Sequence, residues 1–255
     1  MSINTLLFRL KAAMLHLLLS GFVAGFVAIL ILFVWYPWPF SEMSGGISLL
    51  ILLISVDLVL GPLLTFVIFD QGKKRAELIR DLGFIVVLQL CGLFYGVHSI
   101  YLARPVAVVF ERVFFRVITD VDIADSELSQ AHARFKSSIL GGPIVLGTRT
   151  SITGEEKIDA ITKALAGNDI GTRPSYWQSY SESVPQVLSK ARPVKVLYLH
   201  YPKEQKIIDA AIKKTEITSD DLLFLPIASK TANWTVLLDS KTAKLVGYLP
   251  ISSFF

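Results

Sequence analysis

The residue that most demands a chemical account is Asp57, the one charged side chain in an apolar run spanning 47–69. An ionisable group at the centre of a membrane span costs at least about 2.5–3.5 kcal/mol, so it marks either function or a specific polar contact. Gly61 and Pro62 follow on the same stretch. Pro62 cannot donate to the carbonyl of Leu58, which leaves an acceptor free beside the acid and favours a kink. Thr65 belongs with these polar and packing residues. A third apolar run, 83–103, contributes Gln89 and His98 together with Gly92 and Gly96, a small-residue stripe that Ser99 extends by a turn. Gly21 and Gly25 repeat that spacing in the first run, and such stripes let helix backbones approach closely, internally or against a partner helix. If the second and third runs are antiparallel with Phe69 opposite Gly83, Asp57 lies level with Tyr95, whose phenol can donate to the carboxylate. His16 falls level with about Val67, roughly 15 Å from Asp57 along the axis, and is set aside as its partner. The expectation is an interhelical hydrogen bond that fixes register, in preference to proton or ion translocation.

Other constellations carry less. A Walker A loop, a GxGxxG fingerprint, a GxSxG elbow and an HExxH helix are absent from the sequence. Beyond residue 103 the histidines are His132 and His200, and there is no cysteine, so no transition-metal set suggests itself. The acid pairs Glu155-Glu156 and Asp220-Asp221 are adjacent in sequence, which sends their side chains in different directions. They read as helix-start or solvated charges. Gly141-Gly142-Pro143 reads as a turn. No catalytic residue, cofactor site or metal site is assigned.

The elements that must position Asp57 are three apolar runs, at 14–36, 47–69 and 83–103, and each is long enough to cross a bilayer core of about 30 Å. Composition agrees: 53% of the 255 residues are hydrophobic and 18% charged, well short of the quarter usual in soluble domains. The net charge of +4 is too mild and dispersed for a nucleic-acid binder, and the single cysteine, Cys91, excludes an internal disulfide. The first run is too long for a signal core and ends in Trp35, Tyr36 and Trp38, an aromatic belt, so it reads as an uncleaved anchor. Arg9, Lys11, Lys73, Lys74, Arg75 and Arg80 flank one end of the spans, whereas the 37–46 loop holds no Lys or Arg. By the positive-inside rule the 1–13 tail and the 70–82 loop are cytoplasmic, and the 37–46 loop and residues 104–255 lie outside.

Those 152 residues suffice for one exported domain. Val106 to Phe110 and Phe114 to Ile118 predict strands, and 126–135 a short helix. Thr153 with Glu156 forms a capping box for a helix carrying Ile158, Ile161 and Leu165 at helical spacing. Residues 168–183 read as a long loop and 194–201 as a strand. The next helix, at 204–214, should turn Ile207, Ile208, Ala211 and Ile212 inward. A strand at 222–227 and a hairpin pairing 234–238 with 245–249 complete an α+β extracytoplasmic domain with a mixed sheet, following a membrane α-helical unit of three transmembrane helices.

The run Asp57-Leu58-Val59-Leu60-Gly61-Pro62-Leu63-Leu64-Thr65, followed by Gln89-Leu90, Tyr95-Gly96 and the membrane-exit motif Arg104-Pro105-Val106, resembles the TfpX/TfpZ family of type IV pilin accessory proteins. Arg112-Val113-Phe114-Phe115 departs from the family's acidic-then-Arg-Phe pattern. The resemblance covers residues 1–119 best. It implies a bacterial inner-membrane protein with a periplasmic domain that assists a pilin's stability, assembly or pilus dynamics and is not an enzyme. Its partners would be the pilin, through transmembrane helix and head, other pilus assembly proteins, and the lipid bilayer. Two other classes compete. A membrane-anchored enzyme modifying pilin or envelope glycans requires an exported cleft with convergent carboxylates or a metal, and a sensor subunit requires a cytoplasmic output module.

Overall fold

The computed structural model describes residues 3–70, 72–128, 135 and 142–255. The chain divides into two compact units, Met1–Trp38 with Gly46–Ala103, and Pro39–Gly45 with Arg104–Phe255.

The first unit consists of three helices long and apolar enough to cross a membrane. Helix α1 (Ile3–Leu30) continues through a wider π-helical turn, Ile31–Trp35. A short turn α2 (Phe40–Met43), then α3 (Gly46–Ile68) and α4 (Arg75–Leu102) follow. Both α1 and α4 begin well before the apolar runs do, because the Arg, Lys, Glu and Ala residues that precede them favour helix. Most of the 1–13 tail and part of the 70–82 loop are therefore helical. Helix α3 packs against both others, and Pro62 sits inside it without ending it. Trp35 and Tyr36, read from sequence as interface aromatics, are buried. Tyr36 donates to the carbonyl of Ile100 at 3.0 Å, and Trp35 meets Tyr101 edge-on at 5.1 Å. Trp38 is exposed.

Among the described residues the second unit is built on an eight-stranded mixed sheet of β1 (Pro105–Glu111), β2 (Phe114–Thr119), β3 (Ile144–Thr148), β4 (Trp177–Ser179), β5 (Arg192–Pro193), β6 (Leu222–Ala228), β7 (Trp234–Asp239) and β8 (Leu245–Leu249), in the order β4-β3-β1-β2-β6-β7-β8, with β5 also paired to β6. Strand β1 (Pro105–Glu111) is buried along its whole length between antiparallel β2 (Phe114–Thr119) and parallel β3 (Ile144–Thr148). A strand covered on both faces needs no alternation, and the run Val106-Ala107-Val108-Val109-Phe110 shows none. Strands β6 (Leu222–Ala228), β7 (Trp234–Asp239) and β8 (Leu245–Leu249) form the meander at the other end.

Helix α6 (Gly154–Leu165) is capped as expected: Thr153 Oγ1 accepts from the Glu156 amide at 3.1 Å. Its buried residue is Ala160, however, and Ile158, Ile161 and Leu165 are exposed. The predicted loop at 168–183 contains β4 (Trp177–Ser179) and the first turn of α7 (Tyr180–Lys190). Trp177 anchors it by packing against Val106 and Val109, a long-range contact that no local signal reveals. The predicted strand at 194–201 is helix α8 (Lys195–His200), preceded by β5 (Arg192–Pro193). Val194 and Leu197 are buried while Leu199 is exposed, a spacing of three that a strand's alternation cannot produce. Helix α9 (Gln205–Thr215) buries Ile208, with Ala211 and Ile212 against the same core, and turns Ile207 outward. Of the predicted 126–135 helix, α5 (Asp125–Leu128) is present, and residues 129–134 lie outside the described residues, as do His132 and Gly141.

The loop joining the first two long helices belongs to this second core. Phe40 and Met43 are buried with Phe110, Phe115 and Trp234, and Phe40 lies edge-on to Tyr248 at 5.9 Å. The Met43 carbonyl accepts from Thr231 Oγ1 at 2.5 Å and from Ser229 Oγ.

Candidate functional site

The polar residues of the helical unit converge. Asp57, Gly61 and Thr65 recur every four residues, which places them on one face of α3, and Gly61 and Thr65 are buried there. Opposite them stand His16 of α1 and Gln89 of α4. His16 Nδ1 is 2.5 Å from Thr65 Oγ1, His16 Nε2 is 2.5 Å from Gln89 Oε1, and Gln89 Nε2 donates to the Asp57 carbonyl at 3.2 Å. Gln89, which donates through Nε2, accepts through Oε1 from the His16 Nε2–H, while Thr65 Oγ1, able to donate or accept, meets Nδ1. The circuit leaves α3 at Thr65, crosses α1 and α4, and returns at Asp57.

Gly61 makes the approach of Gln89 possible. A Cβ on Gly61 would fall 2.0 Å from Gln89 Nε2. Gly96 serves the same interface lower in the helix pair, where a Cβ would fall 2.4 Å from Leu53. A Cβ on Gly92, Gly21 or Gly25 meets nothing within 4 Å, so those three positions do not set the packing of this unit.

Tyr95 is not the partner of Asp57: it is 74% exposed. It lies six residues after Gln89, about 120° away around a helix that turns 100° per residue, so it faces away from α3. Height along the axis separates His16 from Asp57. Level with about Val67, it stands within two residues of Thr65, the contact it makes. Gln89, noted in the sequence as a polar oddity, proves to be the hub.

Among the described residues no hydrogen bond or ion pair reaches the Asp57 carboxylate. It lines a cavity of about 410 Å³ with His16, Thr65 and Gln89, walled by Leu15 and Leu19 of α1 and Val86, Leu90 and Leu93 of α4. The cavity is a groove with α3 as floor, apolar sides and a polar base. At the basic end Arg9 pairs with Asp70 at 3.2 Å and Lys73 with Asp81 at 2.9 Å, tying α1 and α4 to the segment after α3.

In the second unit Arg104 is buried and pairs with Asp120 at 3.6 Å, while Pro105 opens β1. The exit motif therefore serves as a buried charge contact at the first strand. Arg173, also buried, donates to Glu127 at 3.0 Å and Asp159 at 3.1 Å. Arg116 bridges Glu111 at 2.9 Å and Asp169 at 2.8 Å, and burial pushes the Glu111 carboxyl up despite that cation.

A family model described as fimbrial assembly protein FimB matches residues 4–45. Two fimbrial assembly proteins of Dichelobacter nodosus, of serogroups I and E1, are each 36% identical to this chain over 250 residues, 97% of both lengths. A third, of serogroups C1 and C2, is 45% identical over 125 residues, which is 49% of this chain and 95% of that protein. No solved structure matches. With full-length similarity to such relatives, the chain belongs to the FimB fimbrial assembly protein family.

Proposed function

We propose that the protein is a multi-pass inner-membrane assembly factor for type IV pili, a pilin chaperone without catalytic activity of its own. Its N-terminus is cytoplasmic and its C-terminal unit periplasmic. Within the fimbrial assembly proteins, the run from Asp57 to Thr65 and the Arg104-Pro105 exit support placing it beside the TfpX/TfpZ pilin accessory proteins.

The observation that carries this reading is the groove. A subunit awaiting assembly needs its apolar helix kept from other helices, and a trough with apolar walls and a polar base, where Asp57 stands with His16, suits a helix that brings a donor or a cation to that depth. Lipid accounts for the outer faces: Phe22 is 80% exposed and Phe94 77%, along helices that water would not tolerate so bare. Three crossings require the 37–46 loop and residues 104–255 to share one side, and the burial of Phe40 and Met43 in the C-terminal core agrees. The six cations at the opposite end choose which side that is.

The test is Asp57→Asn introduced in the producing bacterium. Pilin abundance and surface pili fall while the level of this protein is unchanged. Normal piliation with normal protein level would overturn the reading.

A further inference from the structure

The C-terminal unit carries a second cavity, of about 310 Å³, at the tip of the β1–β2 hairpin and the start of α6. That volume is at the lower end of the range of small-molecule sites. Arg112, Arg149 and Lys157 line it with the hydroxyl residues Thr150 and Ser151, and no carboxylate does. Arg149 is committed elsewhere: it donates to Glu156 at 2.6 Å and to the Ser175 carbonyl at 3.2 Å. Arg112 and Lys157 are exposed and have no ion pair among the described residues, so two unmatched cations face one polar chamber.

The backbone at Arg112 reinforces the point. The hairpin turns in two residues, with Arg112 at φ +62° and the Val113 amide donating to the Glu111 carbonyl at 2.7 Å. A bond spanning a single residue at positive φ is a strained γ-turn, in which glycine would sit at ease. An arginine held there keeps a guanidinium, with its forked donors, at the mouth of the chamber.

We propose that this cavity binds a small hydroxylated oxyanion of the phosphate or carboxylate class. Arg112 and Lys157 hold the charge, and Thr150 and Ser151 meet the ligand's hydroxyls. The inference is independent of the intramembrane groove.

The experiment is calorimetric titration of the full-length protein in non-ionic detergent with glycerol 3-phosphate, glucuronic acid, inorganic phosphate and, as the neutral control, glucose. At least one oxyanion binds saturably and glucose does not. Arg112→Gly and Lys157→Gln each weaken binding by about tenfold, and added salt weakens it further. Glycine relieves the positive φ and Lys157 is exposed on its helix, so both variants keep the wild-type melting temperature. Preference for glycerol phosphate or for glucuronate names the source of the anion, and a preference for bare phosphate would overturn the part given to Thr150 and Ser151. Absence of saturable binding by all three, equal binding of glucose, or affinities unchanged in both variants would overturn the proposal.

Discussion

Gly61 owes its place to the amide opposite it. Gly61→Ala pushes a methyl into Gln89 and is expected to destabilise the helical unit by about 1–3 kcal/mol, the usual range for overpacking. In a Gln89→Ala background the same substitution costs less than it does in the wild type, because the obstructing side chain is gone. Unfolding in mixed micelles reads both backgrounds, and an equal cost of Gly61→Ala in each would mean that the clash is not the cause. Glu156 makes a pH-dependent contribution in the other unit. Hydrogen bonds from Arg149 and the Ile152 amide hold its carboxyl at about 2, against the ordinary 4.5. A depressed pKa contributes stability that is present above the unfolded value and is lost as pH falls through the folded one. The melting-temperature gap between wild type and Glu156→Gln is therefore expected to be open at neutral pH and to close between about 4.5 and about 2. A gap constant over that window would deny the ionised carboxylate its role.

At the scale of elements, legibility tracked how local each signal was. The capping box of α6 and the β7–β8 hairpin are set by neighbours in sequence and were read directly. Asp57 was conspicuous in an apolar run, but its surroundings depend on the rotational phase of α4, which separates Gln89 from Tyr95 by a third of a turn. Height along a helix could be counted from sequence; facing could not. Residues 194–201 read as a strand from their Val, Leu and Tyr, residues that satisfy both periods, and the helix that forms there buries Val194 and Leu197 in one core with Phe224. Segment 168–183 was ordered by tertiary anchors, Trp177 and Arg173. Arg173 joins α5, through Glu127, to α6, through Asp159. Arg173→Ala leaves Glu127 buried without its cation, and a loss of about 3–5 kcal/mol is expected in chemical denaturation. A loss below about 1 kcal/mol would place this pair among surface bridges.

At the scale of the molecule, the short link between the first two long helices is a structural part of the C-terminal unit, which sequence could not disclose, since Phe40 and Met43 are adjacent only to prolines and polar residues in the chain. Met43 is fully buried, and Met43→Ala is expected to cost about 2–5 kcal/mol. For the same reason a fragment of residues 104–255 melts below the same unit in the intact chain, by differential scanning calorimetry; equal melting would show that the link contributes nothing. Each unit has its own organising feature: a core that includes Phe40 and Met43 in the C-terminal unit, and among the long helices a trough lined by Asp57, His16, Thr65 and Gln89. Site-specific photocrosslinking in pilin-producing cells tests that trough directly. A benzophenone side chain at Leu19 or Leu90, on its walls, is expected to capture the pilin, and one at Phe22 or Phe94, on the outward faces, is not. Equal capture from both sets, or capture from the outward set alone, would contradict the account.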